Sequence, residues 1–210
     1  MFKNAFVTLV WHKEILTVKD YQKDLIEYAY KLKSDSLSSS DYNSNTGGYQ
    51  TKLLKLDHPL INRFCNDIKD YIVNYANVFE IVSLFEIEID DIWFNINQKN
   101  DYLLPHIHNN KDFSGVFFLK ATKDSGSLVL ENPDMGYQFQ KLFTSNKNNF
   151  IYNPYNCQQY FIDPSELKLV LFPAHIKHFV TKNLTNDDRI SIAFDININT
   201  ENKNWEKLYV

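Results

Sequence analysis

The stretch FEIVSLFEIEIDDIWFNIN (79–97) decides the fold. It is rich in β-branched and aromatic residues, and its apolar residues partly alternate with polar ones, a pattern that suits strands. The same character returns in SGVFFLK (114–120), SLVLEN (127–132), FIYNP (150–154), KLVLFP (168–173), HFVTKN (178–183) and RISIAFDININ (189–199). Gly, Pro, Asn and Asp separate the runs. Short strands at such close spacing predict an all-β sandwich or barrel.

Upstream of residue 79 the period changes. In KDYQKDLIEYAYKLK (19–33), Leu25, Ile26, Ala29 and Leu32 recur at helical spacing. Asp57-His58-Pro59 predicts a second helix start, with Asp57 as cap and Pro59 in the first turn. That helix runs to about residue 78, with Leu60, Ile61, Phe64, Ile68, Tyr71, Ile72 and Tyr75 on one side. A short apolar strand is expected at 5–11 (AFVTLVW). The Ser- and Asn-rich stretch 34–50 is a loop and a candidate lid, and its Gly47-Gly48 pair requires an unusual backbone shape. No repeat or linker divides the chain. The expectation is one domain over 1–210, helical to about residue 78, with a β core over about 79–200.

Hydrophobic residues make up 44% of the chain, enough for a globular core rather than a disordered polymer. The net charge of −4 without a basic block disfavours a nucleic-acid partner. Two cysteines, Cys65 and Cys157, are too few for a disulfide framework and are expected as free thiols. No signal peptide is recognised, and no stretch approaches the ~20 apolar residues of a membrane span. The expected setting is cytoplasmic. A homodimer is compatible with the sequence, which does not fix the oligomeric state.

Four of the six histidines lie in the β region: His106, His108, His175 and His178. In an extended segment, His106 and His108 point to one face and can meet one ion. A distant strand would complete the set. Oxygen-activating iron(II) sites commonly use two His and one carboxylate, whereas this segment reads H-x-H. His175 and His178 differ in parity, so only one of them is expected to join. His178 leads a strand, and His175 sits in the turn after Phe172-Pro173.

The 22 cationic side chains include only two Arg, Arg63 and Arg189. Where Lys is the default cation, an Arg signals a use for its planar fork of donors. Arg189 opens a strand and shares a face with Ser191, a pair suited to a carboxylate. The alternative is an ion pair of Arg189 with Asp187 or Asp188.

The segments SNTGGYQT (44–51), WFNIN (93–97), PHIHNNKDFSGVFFLK (105–120), SGSLVLENP (125–133), LFPAHIKHFVTKN (171–183) and DRISIAFDI (188–196) together resemble one family. It comprises 2-oxoglutarate- and iron(II)-dependent oxygenases of the small bacterial and phage type, distinct from the prolyl-hydroxylase branch. The resemblance implies a double-stranded β-helix core (a cupin-like jelly roll), with Fe(II) and 2-oxoglutarate as cofactor and co-substrate. It makes His106 and His178 metal ligands, with His108 in the slot that other branches fill with Asp or Glu. Asp112 is the alternative third ligand. It assigns Arg189 to the distal carboxylate of 2-oxoglutarate, with Ser191 completing an Arg-x-Ser pair. By position, Asn95, Phe117 and Phe118 line the same cavity. Phe-Phe stands where the family often has Tyr, which removes a hydroxyl. The implied reaction is hydroxylation of a small molecule or peptide with release of succinate and CO2. The competing readings are a three-His dioxygenase without 2-oxoglutarate, a cupin-like binding protein and a structural jelly roll.

Overall fold

The computed structural model describes residues 8–35, 44–79, 86–133 and 157–199. The described chain opens with β1 (Trp11–Glu14) and a 3-10 turn over Leu16–Tyr21, which runs into α1 (Gln22–Asp35). Two short strands, β2 (Asn45–Thr46) and β3 (Tyr49–Gln50), precede α2 (Pro59–Asn77). Strands then dominate: β4 (Glu86–Asn97), β5 (Tyr102–His106), β6 (Phe113–Lys120), β7 (Leu128–Glu131), β8 (Gln159–Ile162), β9 (Lys168–Pro173), β10 (His178–Val180) and β11 (Arg189–Asn199).

The strands form two antiparallel sheets. One has the order β1-β9-β6-β11-β4-β3, and the other has the order β2-β5-β10-β7-β8. Between them, Phe118, Val170 and Phe172 of the first sheet meet Leu128, Leu130 and Val180 of the second. On the outer face of the larger sheet, Leu25 and Ala29 of α1 and Phe64 and Ile68 of α2 pack against Phe94, Phe117, Ile192 and Phe194. That sheet is therefore buried on both sides, which is why its strands read as nearly continuous apolar runs.

Alternation along β11 sorts its side chains between the two faces. Ile190, Ile192, Phe194 and Ile196 enter the helix-side core. Arg189, Ser191, Ala193 and Asp195 face a cavity between the sheets. On β4, Ile92, Phe94 and Ile96 take the helix side, while Asp91, Trp93 and Asn95 line the cavity. Close packing on the helix side requires Gly115 on β6. A Cβ there would collide with the ring of Phe194, its cross-strand partner.

Several expectations need correction. Of the strand expected at 5–11, residues 5–7 lie outside the described residues, and among the described ones the strand is Trp11–Glu14, where pairing with β9 begins at Leu171. His58, not Asp57, is the cap of α2. Pro59 takes the first helical position, and its ring keeps the preceding residue extended, here at φ −63° and ψ 128°. FIYNP (150–154) and residues 36–43 of the candidate lid also lie outside the described residues. Residues 45–50 are not a plain loop: β2 pairs with β5 and β3 pairs with β4, so the segment ties the two sheets together. Gly47, at φ +80°, makes that turn. No helix among the described residues is long and apolar enough to cross a membrane.

Candidate functional site

His106 closes β5 and His178 opens β10, and the two are direct cross-strand partners. His108 follows in the next turn, held by its N–H to the carbonyl of Ala174 at 3.1 Å. One ligand nitrogen from each ring lies within 4.8 Å of the others. The ring centroids are 4.3 Å apart for His106–His178, 5.2 Å for His106–His108 and 5.1 Å for His108–His178.

Every one of the three rings has a partner at Nδ1. His106 donates to the carbonyl of Leu104 at 2.7 Å, and His178 to that of Ile176 at 2.8 Å. His108 donates to the carboxylate of Asp195 at 2.6 Å. With the proton fixed on Nδ1, the lone pair of each Nε2 remains for a ligand. Burial pushes the His178 imidazole down to about 3, and the neighbouring His106 adds to the effect. Burial also lowers His106. Both rings are thus neutral near pH 7, the form that binds a metal. Phe172 packs edge-on against His178, and Trp93 stacks on His108. The arrangement fits a divalent ion held on one side, as imidazole sets do for iron and its neighbours.

The same cavity, about 300 Å³, reaches Arg189, Ser191 and Asn95. Arg189 is 1% exposed, and burial lowers its guanidinium to about 10, which leaves it charged at neutral pH. Its Nη1 donates to the carbonyls of Ser125 at 2.8 Å and of Gly126 and Thr181 at 3.3 Å. Its Nη2 donates to Asn97 Oδ1 at 2.9 Å. Among the described residues no carboxylate pairs with it. Asp188 instead accepts the hydroxyl of Tyr30 from α1 at 2.9 Å, which fixes the turn before Arg189. Gly126, at φ +102°, makes the seat: a Cβ there would collide with Nη1 of Arg189 and the carbonyl of Thr181. Asn95 is buried, and its Oδ1 has no hydrogen-bond partner among the described residues.

The structure brings His106, His108, His178, Arg189, Ser191 and Asn95 to one cavity. Phe118 joins them, but Phe117 does not. As its neighbour on β6, Phe117 points to the opposite face and packs against Phe64 of α2. Asp112 stands outside the histidine cluster, and its carboxylate accepts the N–H of Ile198 at 2.7 Å. His175 is exposed in the turn between β9 and β10. Sequence reasoning missed Asp195, Asn97, Gly126 and Trp93. Strand parity with Arg189 and Ser191 puts Asp195 on the same face, but nothing in the sequence pairs it with His108.

A family model described as "Putative 2OG-Fe(II) oxygenase" matches residues 91–195, half of the chain. Among curated proteins, no sequence matches. The fold is similar to a prolyl-4-hydroxylase from Pseudomonas putida, with TM-score 0.61, 12% identity, 90% of this chain and 92% of that chain covered. It is also similar to HygX from Streptomyces hygroscopicus with nickel and 2-oxoglutarate bound, with TM-score 0.60, 12% identity, and 91% and 83% covered. A third similar structure is the viral collagen prolyl hydroxylase of Paramecium Bursaria Chlorella virus-1 in its 2OG complex, with TM-score 0.57, 11% identity, and 89% and 94% covered. These likenesses identify the two facing sheets as the double-stranded β-helix, or jelly roll. Through the matched segment, which runs from β4 to Asp195 and carries all three histidines and Arg189, this chain belongs to the 2-oxoglutarate/Fe(II) oxygenase family.

Proposed function

We propose that the chain is a hydroxylase in which His106, His108 and His178 hold Fe(II) while Arg189, Ser191 and Asn95 receive 2-oxoglutarate. Its substrate would be a small molecule or a peptide. Fe(II), when bound, would supply the oxidative chemistry, in which 2-oxoglutarate and O2 yield succinate and CO2, one oxygen atom entering succinate and the other the substrate. The protein supplies binding, orientation and a dry wall.

The observation that carries this reading is the buried guanidinium of Arg189, which no carboxylate among the described residues meets at ion-pair distance, Asp101 acting on it only from farther away. Burying an unpaired cation is costly, so such a site is built for an anion. Neutral carbonyls and the Asn97 amide hold Nη1 and one side of Nη2. This leaves the Nε–Nη2 edge for a two-point grip on a carboxylate. Ser191, two residues along the same face, adds a hydroxyl. The anchored guanidinium then fixes the length and direction of a dicarboxylate relative to the histidines. Trp93 and Phe172 shield the imidazoles from water and hold their planes. The proposed setting is a reducing cytoplasm, as suits a chain with only two cysteines.

The test is Fe(II)-dependent conversion of 2-oxoglutarate to succinate by the wild type and by Arg189→Ala. Losing one partner of a buried charge pair costs about 2–5 kcal/mol, so the variant should need at least ~30-fold more 2-oxoglutarate. A three-His dioxygenase without this co-substrate would consume O2 in its absence, and Arg189→Ala would leave it untouched.

A further inference from the structure

A set of three imidazole ligands brings no negative charge to a divalent ion, although the ion's most common partner set in such sites includes a carboxylate. We propose that Asp195 is a positioning residue that supplies this charge from behind His108. This rests on the reading of the three histidines as metal ligands.

The geometry singles out one histidine. His106 and His178 rest on neutral backbone carbonyls. His108, which occupies the carboxylate's usual slot, donates instead to Asp195 Oδ1 at 2.6 Å. Asp195 is 4% exposed, and no Lys or Arg pairs with it among the described residues. Its Oδ1 also accepts the hydroxyl of Ser114 at 3.0 Å, a residue directly across the β11–β6 pair. Trp93 stacks on the far side of the His108 ring and limits its rotation. A carboxylate behind a ligating imidazole fixes its tautomer and strengthens it as a donor, and such partners typically change metal affinity 10–100-fold. The anionic ligand has thus moved one residue outward, and the strand that carries Arg189 also carries its counterweight.

The arrangement has a further consequence. Placing an acid there by His108→Asp would set a second carboxylate beside Asp195, and the repulsion would offset the new ligand. Removing the Asp195 charge should release that penalty.

The test is anaerobic titration with Co(II) alone, read by its ligand-field absorption, alongside the melting temperature of the metal-free protein. Asp195→Asn keeps the shape and an acceptor. It should bind Co(II) about 10–100-fold more weakly than the wild type, with the metal-free melting temperature little changed. His108→Asp should bind no better than His108→Asn, and adding Asp195→Asn to His108→Asp should recover affinity. If Asp195→Asn binds within twofold of the wild type while His178→Ala has lost Co(II), the Asp195 proposal fails and the histidine reading stands. If the wild type binds no Co(II), the histidine reading fails and the proposal goes with it. Should Asp195→Asn not fold, the two His108 variants decide. Tighter binding by His108→Asp than by His108→Asn overturns the proposal.

Discussion

At the scale of single residues, the site depends on how a buried guanidinium is kept from turning. Gly126 lets the 125–126 carbonyls reach Nη1 because it has no Cβ and can adopt φ +102°. Gly126→Ala should therefore disturb the co-substrate end and spare the histidines. The expected result is a KM for 2-oxoglutarate raised by roughly tenfold or more with Co(II) affinity unchanged, since misplacing a bidentate contact costs more than ~1.4 kcal/mol. Steady-state succinate kinetics and a Co(II) titration check the two halves. Arg189 was legible in the sequence because Arg is rare in a Lys-rich chain, so its chemistry rather than its charge demanded a reason. Asp195 was not, because a single Asp inside an apolar strand gains meaning only once His108 is seen to face it. No spacing rule links those two positions.

At the scale of elements, β11 was readable at both ends and on both faces, because strict alternation leaves little freedom in register. The adjoining β6 was readable too, except that its Phe117-Phe118 pair splits between the helix-side core and the sheet interior. Strands β2 and β3 were not, since two residues carry no resolvable period, and neither was β8. The packing of β11 on β6 makes two testable claims. Phe194→Ala empties a fully buried ring site beside Phe64 and should cost about 3–5 kcal/mol. Gly115→Ala forces a methyl into the Phe194 ring and should cost about 1–3 kcal/mol. Urea unfolding of the two variants and their combination checks both, and the pair should be non-additive because they share one contact.

At the scale of the whole molecule, the order of strands and turns was enough to predict a β sandwich or barrel behind N-terminal helices, and the family resemblance implied that it is a jelly roll. Which strands become neighbours was not contained in periodicity. His106 meets His178 only because β10 inserts between β5 and β7. The convergence of buried imidazoles also shapes the molecule's response to acid. Folding holds His178 neutral, with its value down to about 3, against an unfolded reference of about 6.5. Below that reference the unfolded chain binds a proton that the folded one refuses. The metal-free protein should therefore lose stability as pH falls from about 6.5 towards 3, and His106, lowered in the same direction, adds to the slope. Melting temperatures of the metal-free protein between about pH 7.5 and 5.5 (about one unit either side of the reference) should show this decline. His178→Asn, which cannot take up the proton, should flatten it.

The most direct test of the account is anaerobic titration of the Fe(II)-loaded protein with 2-oxoglutarate, following the charge-transfer absorption that forms when a 2-oxo acid chelates the iron. The account predicts a saturable band in the wild type. For Arg189→Ala it predicts the same band only at a co-substrate concentration at least ~30-fold higher, as expected when a buried charge loses its partner. No band in the wild type, or an Arg189→Ala curve that overlays it, would contradict the account.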